Sequence, residues 1–184
     1  MQGFDFDKKL KDNKSDNKNN SKVIAIDFDG TCVYNDWPKV GPDIYGCEEV
    51  LKKLVENGHK LILLTQRSKD TDKGDILSPA IKWFNHHNIK LYGVNKNPSW
   101  EANPDLGTSR KVYADVYIDD HNAFMPVTTD ENYEGNPIKL VYWPAIDAWF
   151  VKNHFYNDYA LDLKDDDMAD VEEAIRNTGY YHFK

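Results

Sequence analysis

Five short apolar runs punctuate the chain: Val23–Ile26, Leu61–Leu64, Leu91–Val94, Val112–Ile118 and Ile138–Tyr142. Each is too short for a helix and rich in Val, Ile and Leu, so each predicts a buried strand. The first is expected over about 22–28. Helical spacing fills two of the gaps. Over Tyr45 to Asn57 the apolar positions Val50, Leu51, Leu54 and Val55 share one face, and Gly58 stands where a left-handed C-cap belongs. Ser78-Pro79 reads as N-cap and first turn of a second helix, with Ile81, Phe84 and Ala80 inward. Strands alternating with crossover helices predict a mainly parallel, doubly wound five-stranded sheet with helices on both faces.

The remaining gaps are polar. Residues 32–44 carry Asn35, Asp36, Trp37, Pro38, Gly41 and Pro42, which predicts a loop with a short hairpin. Residues 95–110 are loop-rich, with Asn97-Pro98, Asn103-Pro104 and Gly107, and a further loop is expected over about 125–137. Asp165 to Asn177 predicts a last helix, with Met168, Val171 and Ile175 inward and Gly179 at its end. His86 and His87 have no partner at metal-ligand spacing and read as helix-end residues.

The polar ends of the apolar runs carry the chemistry. The first run stops at Asp27-Phe28-Asp29-Gly30-Thr31, the second at Thr65-Gln66-Arg67-Ser68, the fourth at Asp119-Asp120-His121-Asn122. The carboxyl ends of strands in an open parallel sheet are where ligands bind. Two carboxylates at i and i+2 repel each other unless a cation joins them, and Mg²⁺ suits an all-oxygen site. Asp-Gly alone would be ordinary turn chemistry. Three polar strand ends converging on one sheet edge are a stronger signal.

Asp27-Phe28-Asp29-Gly30-Thr31 resembles the first motif of the haloacid dehalogenase (HAD) superfamily of phosphatases. The resemblance covers roughly residues 22–125. It implies a Rossmann-like fold and a Mg²⁺-dependent phosphomonoester hydrolase. Asp27 matches the nucleophile that forms an aspartyl-phosphate, and Asp29 the general acid/base. Thr65 matches the hydroxyl that holds a phosphoryl oxygen. The implied metal ligands are Asp27, the Asp29 carbonyl, Asp119 and Asp120, with Asp119 expected to bind directly. Gly30, Thr31, Thr65, Gln66 and Arg67 are candidate substrate contacts; Arg67 could equally pair with an acid on the rim. The family's motif-three lysine is matched by Lys111, at the head of the fourth strand, with Lys96 the alternative at the commoner spacing. Arg110 to Asp120, with its Ala-Asp-x-Tyr-Ile-Asp-Asp core, is similar to the corresponding stretch of small bacterial and phage HAD-like hydrolases. Such enzymes often carry a cap domain. Neither Thr31 to Tyr45 nor Arg67 to Lys111 has room for a sizeable one, so an open site is expected.

Composition narrows the rest. At 184 residues the chain is long enough for one domain with a real core. Leu10 is the only apolar residue from Asp7 to Lys22, so residues 1–21 are expected to be a disordered tail. Residues 22–184 would be the HAD-like domain, with an aromatic-rich extension from about 126. Eleven of the 24 aromatic residues lie from Tyr133 onward; packing on the sheet flank explains them more simply than a substrate-stacking surface. A net charge of −8 argues against a general nucleic-acid-binding face. Cys32 and Cys47 lack metal-ligand spacing and fit free thiols in a reducing compartment. With no apolar run near a membrane span and no signal peptide, a soluble cytoplasmic protein is expected. The substrate would be a nucleotide, a sugar phosphate or a polynucleotide 3′-phosphate. The alternatives are a non-catalytic HAD-fold binding module and a phosphotransferase.

Overall fold

The computed structural model describes residues 21–103, 110–131 and 133–157. The predicted tail and the predicted helix at Asp165 to Asn177 lie outside the described residues. The elements in chain order are β1 (Val23–Ile26), α1 (Cys47–Glu56), β2 (Lys60–Leu63), α2 (Leu77–His86), β3 (Leu91–Val94), α3 (Pro98–Glu101), β4 (Val116–Ile118), β5 (Val127–Asp130), a 3₁₀ turn (Tyr133–Gly135), β6 (Ile138–Val141) and α4 (Trp143–Lys152).

Four parallel strands form a sheet in the order β3-β2-β1-β4. The chain steps outward from β1 to β3, then returns to place β4 on the other side of β1. That reversal between β1 and β4 is a topological switch point, where open α/β sheets leave a crevice. The β1–α1–β2 and β2–α2–β3 crossovers step the same way, so the usual right-handedness puts α1 and α2 together on the first of the sheet's two faces.

The main core fills the first of these faces. Ile24, Ile26, Leu61, Leu63 and Ile118 pack with Val50, Leu51 and Leu54 of α1, Ala80 and Phe84 of α2, and Ile146 and Phe150 of α4. Ala25 and Ile62 pair in register between them and are also buried. Strand alternation points them to the opposite face. A strand apolar on both faces must be interior, which is why β1 and β2 read as unbroken apolar runs.

Several boundaries differ from the sequence expectation, each for a local reason. The apolar run Ile138–Tyr142 does not join the parallel sheet as a fifth strand. Its β6 pairs antiparallel with β5 in a separate ribbon, Val127 opposite Val141 and Asp130 opposite Ile138. Residues 125–137 therefore contain β5 and the 3₁₀ turn rather than plain loop alone. β4 is three residues long instead of seven. The Tyr117 hydroxyl donates to the Val112 carbonyl and accepts from the Ala114 amide, curling the chain just ahead of the strand. α2 starts one residue earlier than Ser78, because Asp75 caps it. The Asp75 carboxylate accepts from the Leu77 and Ser78 amides and the Ser78 hydroxyl. Trp83 joins its buried face. His87 packs on Trp83 and sits 3.0 Å from Glu48 and 3.4 Å from Asp43, tying α2 to α1.

The aromatic stretch after β6 includes α4. Trp143, Phe150 and Tyr156 are buried, so packing accounts for them. Gly58 has φ +83° and ends α1 as expected. Cys32 and Cys47 are free and buried. Val33 bridges Asp43 in the hairpin that closes the loop after β1. No described helix is long and apolar enough to cross a membrane.

Two hydrogen bonds fasten the C-terminal ribbon and α4 to that loop. The Val141 amide donates to the Gly30 carbonyl at 3.0 Å. The indole of Trp143, fully buried, donates to the Thr31 carbonyl at 2.7 Å. Trp143→Phe keeps most of the ring but leaves that carbonyl unpaired in the interior. It is expected to lower unfolding free energy by about 1–3 kcal/mol. Urea denaturation of the variant measures this; an unchanged midpoint would show that the carbonyl finds another donor.

Candidate functional site

The pairing registers set the strand ends level. Ile26 lies opposite both Leu63 and Ile118, and Leu63 opposite Val94. The next residues of the four strands, Asp27, Leu64, Asp119 and Asn95, therefore emerge at one edge. Backbone bonds hold them there: the Asp27 amide donates to the Ile118 carbonyl, Leu64 to Ile26 and Asn95 to Leu63.

Phe28 explains why Asp27 and Asp29 face the same way. Its ring is fully buried, 5.8 Å from the Trp83 ring and 6.1 Å from Phe84. With the middle residue anchored in the core, the flanking carboxylates turn outward. Gly30 comes next with φ +82°, and a Cβ there would lie 2.8 Å from Asp120 Oδ2. Both the backbone angle and the space therefore call for glycine. Thr31 is buried. Its hydroxyl accepts from the Asp120 amide at 3.2 Å and lies 3.4 Å from Asp27 Oδ2 and 3.5 Å from Asp120 Oδ1. Gly30 and Thr31 thus join the first and last acidic loops rather than line the cleft.

Arg67 is the organising cation. It is 2% exposed, and each of its five N–H donors has an acceptor. Nε donates to Asp29 Oδ2 at 2.7 Å and Nη2 to Asp29 Oδ1 at 2.6 Å, a two-point fork. Nη1 reaches the carbonyls of Pro38 and Ile76, and Nη2 that of Lys39. The guanidinium carbon stands 5.2 Å from the centre of the Phe28 ring. Of the two roles open to Arg67, pairing with an acid is the one observed. Its donors are spent on Asp29 and on the loop that carries the cis Trp37–Pro38 bond.

A cleft of about 570 Å³ opens over this edge. It is lined by Asp27, Asp29, Asn35, Trp37, Leu64, Thr65, Gln66, Arg67, Asp119 and His121. Thr65 is held by its amide, which donates to Asn95 Oδ1 at 2.8 Å, and by its hydroxyl oxygen, which accepts from the Arg67 amide. That leaves the hydroxyl proton for an acceptor in the cleft. Asn95 adopts φ +52°, a turn that asparagine tolerates.

The electrostatics are those of a site short of positive charge. Burial raises the Asp27 carboxyl to about 7, and the charges of Asp119, Asp120 and Asp29 add to the rise. Burial also pushes Asp120 up, against the pull of His121. The Asp120 charge in turn holds His121 above its ordinary value. Carboxylate oxygens of Asp119 and Asp120 and a His121 nitrogen lie within 4.8 Å of one another. With Asp27 beside them, this is an oxygen-rich donor set of the kind a hard divalent cation takes. A cation there would oppose the rise at Asp27.

Asp27, Asp29, Thr65, Gln66, Arg67 and Asp119 thus share one cleft, and Asp120 stands beside them, tied to Thr31 and His121. Neither lysine is among the lining residues. Lys111 stands 5.9 Å from the centre of the Tyr117 ring, ahead of β4. Lys96 directly follows Asn95 at the carboxyl edge, with Glu101 3.8 Å away. His121, Asn35, Trp37 and Asn95 join the site without having been expected there from sequence. His121 is legible from its place after two acids. The others come close only through the loop closure and the β2–β3 pairing.

No protein-family model matches the chain, and no curated protein matches it. Among solved structures, the chain is similar to a conserved protein coded by a locus of Bacteroides thetaiotaomicron. The two are 31% identical, with a TM-score of 0.54, over 79% of this chain and 99% of the other. Identity at that level over nearly the whole of the other protein shows common descent as well as common architecture: the chain belongs to the family of this conserved Bacteroides protein.

Proposed function

We propose that the chain is a Mg²⁺-dependent phosphomonoester hydrolase of the haloacid dehalogenase type, acting through an aspartyl-phosphate on Asp27. The observation that carries this reading is the convergence of Asp27, Asp29, Thr65 and Asp119 on one cleft at the switch point of a parallel sheet. A binding-only module would need the cation site and the hydroxyl. It would have no use for a second carboxylate held by a buried arginine beside the first.

In this mechanism Asp29 enters the cycle carrying a proton; an Asp27 oxygen attacks phosphorus as the bond to the leaving oxygen breaks, and Asp29 gives that proton to the leaving oxygen. Each Asp29 oxygen is engaged once by Arg67 and keeps a lone pair on which a proton can travel. Asp29 then takes a proton from water as the water oxygen attacks phosphorus and the Asp27–phosphoryl bond breaks. Free phosphate and the original carboxylate result. The Thr65 hydroxyl donates to a phosphoryl oxygen. Bound Mg²⁺, held by Asp27, Asp119, Asp120 and the Asp29 carbonyl, would supply charge neutralisation for the phosphoryl oxygens. Arg67 is a positioning residue: it aims Asp29 and seals the loop behind it. For the fixed cation on the phosphate, the position at the carboxyl edge supports Lys96 over Lys111.

Three measurements test this. Asp27→Asn is expected to lower turnover of a phosphomonoester panel with Mg²⁺ by at least about a thousandfold with the fold intact. Full activity in that variant would sink the mechanism, and a wild-type protein inactive across the panel would sink the reading. Arg67→Lys cannot form the fork and strands buried acceptors. It is expected to cost about 3 kcal/mol of stability. It should also slow alkyl phosphates far more than p-nitrophenyl phosphate, whose leaving group needs little help from Asp29. Equal slowing of both would reduce Arg67 to a structural role. Finally, Lys96→Ala should lower kcat/KM more than Lys111→Ala, and the reverse order would return the role to Lys111.

A further inference from the structure

We propose that Trp37 is a stacking platform for the base of a nucleoside monophosphate whose phosphate is delivered to Asp27, an inference that rests on the phosphatase reading. Trp37 is 50% exposed and lines the same cleft as Asp27, Asp29 and Asp119. A large aromatic ring half open to water at the mouth of a polar cleft is a contact surface in waiting.

Its backbone is fixed. The Trp37 amide faces Asn35 Oδ1 at 3.4 Å, and the carbonyls of the next two residues, Pro38 and Lys39, are bound by the buried Arg67 guanidinium. A platform that is already rigid loses little freedom when a planar group settles on it. Base stacking on such rings is sequence-tolerant because every base offers a π-face. The side-chain amides of Asn35 and Gln66 line the same cleft, and groups of that kind can hydrogen-bond the edge of a base. The only aliphatic residue in the described lining is Leu64, so the cleft does not suit a lipid or long alkyl chain.

Charge selects within this class. The lining holds three aspartates against one arginine, and every Arg67 donor is already committed. His121 is engaged with Asp120, 3.1 Å away. A cation bound by the carboxylates would be occupied with the reacting phosphate. Additional phosphates on the substrate would therefore meet carboxylates with no uncommitted cation in the described lining. A neutral nucleoside avoids that repulsion, whereas a di- or triphosphate or a polynucleotide end does not. The geometry thus favours one phosphate carried on an uncharged, planar-ended body.

The test uses the full chain with Mg²⁺ and compares adenosine 5′-monophosphate with ribose 5-phosphate. The two share the phosphorylated ribose and differ by the base. Wild-type kcat/KM should favour the nucleotide by about tenfold or more, and the preference should collapse toward unity in Trp37→Ala and partly return in Trp37→Phe. The effect should fall mainly on KM. Turnover of both substrates without preference, or a preference that survives Trp37→Ala, overturns the platform and leaves the phosphatase reading standing. Stronger turnover of glucose 6-phosphate, of adenosine triphosphate or of a 3′-phosphorylated oligonucleotide overturns the substrate class. No turnover of any of these phosphomonoesters overturns both. Because the ring is half exposed, the variants should fold, which circular dichroism and a thermal midpoint verify.

Discussion

The fork between Arg67 and Asp29 is the interaction on which the site depends. A guanidinium out of water is tolerable only when its charge is paired and its donors are all satisfied. Here two donors take both oxygens of Asp29 and the others take three carbonyls. Those carbonyls belong to the loop after β1 and to the residue before α2. One side chain therefore fastens the end of β2 to the first acidic loop, to the hairpin that overhangs it and to the start of the next helix. The ring of Phe28 supports the guanidinium from the core side. Removing the guanidinium would strand all of these acceptors at once, and removing Asp29 would leave a buried positive charge unpaired.

Around that fork the chain gathers more negative charge than it balances. Asp27, Asp119 and Asp120 crowd together because the registers of β1 and β4 make their ends level, and Thr31 ties the two loops. Such crowding works against stability, and burial makes it worse at Asp27. A fold keeps an arrangement of that kind where a cation or a reacting phosphate gains from it. The same reasoning separates the acids by role. Asp29 has a fixed, buried counter-charge in Arg67, whereas, among the described residues, Asp119 and Asp120 face only the exposed His121.

Much of this is legible in the sequence, because the signals are local and of one period. Runs such as Val23–Ile26 and Leu61–Leu64 can only be interior strands, and the acids and threonine that end them have to share an edge once the sheet is parallel. Helix α1 and its Gly58 terminus are equally plain. The features that escape such reading depend on partners far along the chain. The apolar run at β6 has the composition of a sheet strand, but its edge pairs with β5, which carries two threonines and an aspartate and gives no strand signal. The shortening of β4 turns on the hydroxyl of Tyr117 reaching back to Val112, a contact no periodicity encodes. Arg67 could face substrate or an acid, and only the closing of the loop over Pro38 and Lys39 decides between them.

The loop closure also bears on how an open cleft, with no cap domain among the described residues, would select a substrate on the proposed reading. A cap selects by moving over the substrate and enclosing it, at a cost in ordering that the closed contacts must offset. The hairpin after β1 is too short to enclose anything, and the cleft remains open beside it. Its backbone, however, is pinned to the guanidinium that holds the Asp29 carboxylate. Selection would then come from fixed surfaces instead of closure: an aromatic face and two amides held at a set position relative to Asp29. On the proposed phosphatase reading, binding energy collected at those surfaces would act on the phosphate through one rigid lever. Weakening Arg67 should accordingly blur substrate preference as well as slow the chemistry, because the same five donors serve both.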